Sequence, residues 1–328
     1  MKKTHIVLLS ALAVIVLCGI AALTLCHAQN TRDGEETYEG TDHEFVYFEQ
    51  IDHPTHDIQL PENLTFCGEQ VPLDLFYVSE RIEREILVNS YLHSSTLLLL
   101  KRTTRWFPVI EPIMERYGLP DDFKYLCMAE SALTNAVSAS KAVGFWQFIE
   151  STGKEHNLEI NKEVDMRYNV EKETVAACKF LKDSYEKFGS WTLAAASYNC
   201  GKGRISRTID EQSVSSYYDM LLPEETQRYV FRILALKLIT ENPEKYGFRI
   251  SDNGWYQPLE YKEITVTESI PNLVTFAIEQ GTNYKMLKYF NPWLRAQTLT
   301  ISAGNSYKIK IPTGKHAKTH RKTSRLEP

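Results

Sequence analysis

The chain has 328 residues, 43% hydrophobic and 24% charged, an ordinary globular composition rather than a disordered or fibrous one, with room for about two domains. Its formal net charge of −5 carries no electrostatic footprint for nucleic acid, and none is expected as a partner.

Lys2-Lys3 precede an uncharged apolar run over residues 6–25, followed by Cys26-His27-Ala28-Gln29. A basic start, an apolar stretch and a small residue at the cleavage point make residues 1–28 a signal peptide or, since the run approaches the ~20 residues that span a bilayer, a retained membrane anchor. Leu17 and Leu25 stand before Cys18 and Cys26, where lipoprotein signals place a small residue, so lipidation is not expected. The remainder is expected to be exported and to work in the periplasm or cell envelope.

Residues 29–77 are polar and acidic and read as an extended lead-in. From 78 to 245 the apolar spacing is helical. One helix is expected over 78–100 and a second over 107–117, ended by Gly118-Leu119-Pro120. Asn169, with Glu171 and Glu173 in the first turn, caps a helix that Gly189 ends; a short Ala-rich helix over 191–198 and an amphipathic one over 226–239 follow. No run from 79 to 240 reads as a sheet. Breakers at Pro243, Gly247, Asn253-Gly254 and Pro258 mark a linker over 246–257. Residues 258–313 then read strand, helix, helix, strand, and residues 314–328 form a basic tail.

Of the cysteines beyond the N-terminal segment, spacing does not give the connectivity of Cys67, Cys127, Cys178 and Cys200; Cys127 and Cys178 lie on apolar faces and read as small core residues. No close Cys/His spacing is present, so no metal is expected.

The chemistry concentrates around Glu130. Phe123, Leu126, Cys127 and Glu130 share one helical stripe, and low dielectric there disfavours the charged carboxylate, keeping an acid protonated near neutral pH. The alternative is a structural Glu at a helix end, paired with a cation or reaching solvent. The residues that follow favour catalysis. Gly144 suits a close backbone approach, Trp146 and Phe148 offer flat apolar faces, and Gln147 supplies a donor and an acceptor, as a sugar site requires. Tyr198 shares a face with Trp191, Ala194 and Ala195, within reach of a buried carboxyl. Asp165 and Arg167 read as a structural ion pair, and Glu150 as exposed.

Glu130-Ser131, Gly144-Phe145-Trp146-Gln147-Phe148, Ser197-Tyr198-Asn199 and Leu222-Pro223-Glu224-Glu225-Thr226-Gln227-Arg228-Tyr229-Val230 resemble, in order, the signatures of the family 1 lytic transglycosylases over about residues 105–240. Phe66-Cys67-Gly68-Glu69-Gln70-Val71-Pro72 looks like the membrane-bound D-type branch. The C-terminal module resembles LysM, with Asn291 and Ile309-Lys310-Ile311-Pro312 in place; it departs from the usual Gly-Asp-Thr-Leu opening at Glu268-Ser269-Ile270-Pro271-Asn272-Leu273, which leaves glycan binding by this module open.

The resemblance implies a mainly α protein: a lysozyme-like helical catalytic domain plus a small βααβ LysM-like module. It implies cleavage of the β-1,4 bond between N-acetylmuramic acid and N-acetylglucosamine without water, giving 1,6-anhydro ends on peptidoglycan, with no cofactor. Glu130 would act as acid and then base, Tyr198 would orient it, and Asn199 would support it. Ser131, Ser138, Gly144, Trp146, Gln147, Phe148 and Glu225 would contact substrate. A hydrolysing muramidase and a non-catalytic wall-binding scaffold are the competing readings.

Overall fold

A computed structural model describes residues 57–314. The expected signal or anchor segment, the first part of the lead-in and the basic tail lie outside the described residues. Among the described residues, no helix is long and apolar enough to cross a membrane.

The chain opens with a hairpin, β1 (Thr65–Phe66) and β2 (Glu69–Gln70), inside the stretch expected as lead-in. Cys67 and Gly68 both take positive φ, as a two-residue type I′ turn demands. Phe66 and Val71 are buried, and Glu69 accepts hydrogen bonds from the backbone N–H groups of Trp191 and Thr192 and from both hydroxyls of Ser190 and Thr192. That carboxylate caps a helix over a hundred residues away, a contact that local composition does not announce.

Helices α1 (Phe76–Tyr91) and α2 (His93–Arg116) meet at Leu92. The expected break near residues 100–107 is absent, and α2 runs through Pro108 and Pro112. An unbroken helix keeps Leu99, Leu100, Thr103, Ile110, Ile113 and Met114 buried along one side, so packing overrides the local cost of proline. Buried Glu85 of α1 receives Arg228 Nε at 2.7 Å from α8 (Glu224–Glu241), pinning the two helices together.

Between them come α3 (Phe123–Ser131), a hairpin of β3 (Ala136–Val137) and β4 (Val143–Gly144), and α4 (Glu150–Glu155). Two-residue strands carry no alternation, which is why the 79–240 stretch reads as free of sheet. Helices α5 (Val170–Phe188), α6 (Trp191–Cys200) and α7 (Lys202–Gln212) complete this domain. Asn169 and Gly189 bound α5 as expected, with Asn169 Oδ1 accepting from the Lys172 N–H and Gly189 left-handed. All four cysteines among the described residues are free, and Cys127 and Cys178 are core residues.

The stretch expected as a linker is laced onto α2: Tyr256 N donates to Lys101 O at 3.0 Å, Thr104 Oγ1 to Tyr256 O at 2.9 Å and Arg105 Nε to Gln257 O at 3.0 Å. The βααβ module follows as β5 (Tyr261–Val266), α9 (Leu273–Glu279), α10 (Tyr284–Phe290) and β6 (Tyr307–Pro312), with β5 and β6 antiparallel. Buried Asn291 joins α10 to β6, donating to Leu287 O and Lys310 O and accepting from Lys310 N. The module is sutured to the helical domain: Arg295 N donates to Glu163 O at 2.7 Å, Asp165 N to Trp293 O at 2.9 Å, and the Glu163 carboxylate accepts from Thr298 Oγ1 and Thr300 N.

Candidate active site

Glu130 lies in the last turn of α3. The helix stops one residue later because Ala132 and Leu133 are both left-handed, and Ser131 closes the turn, its hydroxyl donating to Cys127 O and its carbonyl accepting from Thr134 Oγ1 at 2.8 Å. The stripe beneath Glu130 is core, with Phe123, Leu126 and Cys127 at 0% exposure. Burial pushes the Glu130 carboxyl up to about 7; a hydrogen bond from Tyr229 and the charge of Arg232 oppose that rise, and the charge of Glu225 adds to it. Tyr229 Oη donates to Oε1, which leaves Oε2 as the second oxygen of the carboxyl.

Tyr198, expected to orient Glu130, does not hold it. Its hydroxyl donates to Trp146 O at 2.7 Å, tying α6 to the segment after β4. The orienting phenol is Tyr229, because α8 packs directly against α3 and delivers its side chain across that interface. Tyr229 stands in the same signature as Glu225, four residues further along one helical face; that spacing was the available signal. Both phenols are held well above their usual range, first by burial and then by the negative charge of Glu130.

The aromatic strip also has another role. Trp146 is fully buried, its indole Nε1 donating to Thr174 Oγ1 at 2.9 Å, and Phe148 is only 3% exposed, so neither ring offers a face to a sugar. Gly144, at φ +93°, makes its close approach to the protein itself: an added Cβ would sit 2.0 Å from Arg167 O and 2.4 Å from a Glu173 oxygen. Glu173, read from sequence as a first-turn acid, is fully buried and accepts from Phe145 N at 2.7 Å and Trp146 N at 3.0 Å. Burial raises its carboxyl well above the ordinary range despite those bonds. Arg167 and Asp165 form the expected structural pair, 2.8 Å from Nη2 to Oδ2, and Arg167 Nη1 also donates to Phe148 O. Sequence alone showed an aromatic run; the fold uses it as a floor clamped from below by Glu173 and Arg167.

The remaining polar residues are less deeply placed. Gln147 is half-buried at φ +54°, its Nε2 donating to Ala136 O and Gly144 O, so its amide carbonyl is the remaining acceptor. Ser138 Oγ accepts from Ala142 N and contacts Ser140 Oγ, closing the hairpin turn. Asn199 Oδ1 accepts from Thr226 Oγ1 at 2.8 Å, which fastens α6 to α8. Glu225 is exposed in the first turn of α8, and Glu150 is exposed and paired with Lys154.

A half-buried carboxyl at a helix end, beside a small hairpin and under a second helix, sits in a lysozyme-like helical domain, here with a βααβ module docked to it. Residues 109–220 match the family described as the transglycosylase SLT domain, and residues 262–315 match the soluble lytic transglycosylase C-terminal LysM-like domain. The chain therefore carries an SLT transglycosylase domain followed by a LysM-like C-terminal domain. It is 29% identical over 261 residues to the membrane-bound lytic murein transglycosylase D of Escherichia coli strain K12, across 77% of this chain and 56% of the relative. The corresponding protein of Escherichia coli O6:H1 matches to the same extent. The chain thus spans little more than half the length of these relatives.

Proposed function

We propose that the protein is a peptidoglycan lytic transglycosylase, exported to the cell envelope, that cuts the β-1,4 bond between N-acetylmuramic acid and N-acetylglucosamine and leaves 1,6-anhydro ends. The observation that carries this reading is the state of Glu130, a carboxyl that burial keeps protonated to about neutral pH and that Tyr229 holds by one oxygen. The protonated carboxyl donates its proton to the glycosidic oxygen as the bond to the muramyl C1 breaks. The substrate's own acetamide stabilises the positive centre. Glu130, now a carboxylate, takes the proton of the muramyl C6 hydroxyl, whose oxygen closes onto C1. Attack from within one sugar has a high effective molarity, which favours it over bulk water.

A hydrolysing muramidase would use a second carboxylate to activate water. Glu173 is occupied by two backbone amides, and Glu225 is exposed at the start of α8, so neither is set for that task. On this reading Ser138, Gln147, Asn199 and Glu225 supply polar contacts for the sugars, as the resemblance implies, with the exposed Glu225 the freest of them. The test is mass spectrometry of products from purified sacculi: muramyl ends lighter by one water are expected, and hydrated ends would sink the lytic assignment. Glu130→Gln should abolish solubilisation; clearance at the parent's rate would remove Glu130 from the mechanism.

A further inference from the structure

A cavity of about 650 Å³ opens where α2 and the loop after Glu130 face the C-terminal module. That volume falls in the range of small-ligand sites. Its walls are rich in aromatic rings: Trp106 comes from α2, Tyr256 from the laced segment, and Tyr289, Phe290 and Trp293 from the module. Two guanidiniums, Arg102 and Arg105, line it from α2. Arg102 Nη1 donates to Ala132 O at 3.2 Å and Arg105 Nε to Gln257 O, but neither forms an ion pair among the described residues. The acid in the wall, Glu171, is already bound by Lys310. The cavity thus holds positive charge that no carboxylate among the described residues pairs, beside an apolar surface.

We infer that this crevice is a binding site for a carboxylate-bearing peptide, the stem peptide of a peptidoglycan strand. The identity of the peptide rests on the function proposed above. The glycan itself is a poor match, because N-acetylglucosamine is neutral and the muramyl carboxyl is consumed in the amide bond to the peptide. Negative charge on this polymer therefore lies on its peptides, and guanidinium forks suit carboxylates in a desolvated, aromatic setting. The cavity wall includes Leu133 and Thr134, three and four residues beyond Glu130, so a peptide seated there lies on the chain segment that carries the acid.

The full chain is titrated by calorimetry and tryptophan fluorescence with three probes: the free stem tetrapeptide, its carboxyl-amidated form and chitotetraose. The tetrapeptide should bind saturably, and amidation should weaken it at least tenfold. The Arg102→Gln/Arg105→Gln double variant, checked for native circular dichroism, should also bind at least tenfold more weakly. Tyr289→Ala, at a side chain already 55% exposed and therefore safe for folding, should weaken binding severalfold. Equal affinity for the amidated peptide, unchanged affinity in the variants, or preference for chitotetraose overturns the inference. Anhydro products without peptide binding would refute this site alone; charge-dependent peptide binding without anhydro products would refute the proposed reaction alone.

Discussion

At the scale of single residues, Glu130 and Tyr229 form the hydrogen-bonded unit on which the proposed reaction would turn. A general acid must be protonated in the free enzyme, so kcat/KM should fall as pH rises through about 7. The Tyr229 hydroxyl favours the charged carboxylate, and its removal raises the acid's pKa further. Tyr229→Phe is therefore expected to move the alkaline limb of the pH profile upward and to lower the maximal rate by about tenfold, the scale of one hydrogen bond to a charged group. A pH–rate series on soluble glycan checks both. Stability moves in the same currency. Because the folded carboxyl keeps its proton to about 7 while the unfolded one loses it near 4.5, the native state binds more protons between those values. The stability from this group is present below the lower value and is lost as pH rises through the upper one. Glu130→Gln, which does not titrate, should gain about 3 kcal/mol on the parent as pH rises from 4.5 to about 8 in denaturant titrations.

At the scale of elements, the segment from β4 to Phe148 is shaped by what lies under it. Glu173 takes two of its amides, Arg167 takes the Phe148 carbonyl, and Tyr198 donates to the Trp146 carbonyl. Only glycine fits position 144, for backbone conformation and for space together. Gly144→Ala should cost about 3 kcal/mol or more, seen as a lower denaturation midpoint with unchanged slope. A midpoint within 0.5 kcal/mol of the parent, roughly the size of an ordinary surface change, would mean that this floor is not rigid. The helices around it were legible because their ends are marked chemically: Asn169 and Gly189 delimit α5 through side-chain capping and a left-handed close. The join at Leu92 was not, since it carries neither Gly nor Pro, and α2 runs unbroken through Pro108 and Pro112.

At the scale of the whole described chain, the LysM-like module is an integral part of the body. Glu163 is the hub, with its carbonyl bound by Arg295 N and its carboxylate by Thr298 and Thr300. These bonds hold the carboxyl below its ordinary range. Glu163→Ala should loosen the module without unfolding the helices, read as faster amide exchange over 291–301 with protection of α8 retained. Uniform exchange changes across both domains would show instead that the two parts unfold as one.

Much of this protein was written in local order. Helical spacing, caps, the change to alternation at Tyr261 and the enclosed stripe ending in Glu130 depend on residues a few positions apart, and those relations survive in one dimension. Burial of Trp146 and Phe148, the exchange of Tyr198 for Tyr229 as the carboxyl's partner, the cap that Glu69 places on α6 and the arginine-lined crevice join residues dozens to more than a hundred positions apart. Nothing local distinguishes an aromatic ring that will floor a site from one that will face a sugar, because that choice is made by which distant helix packs against it.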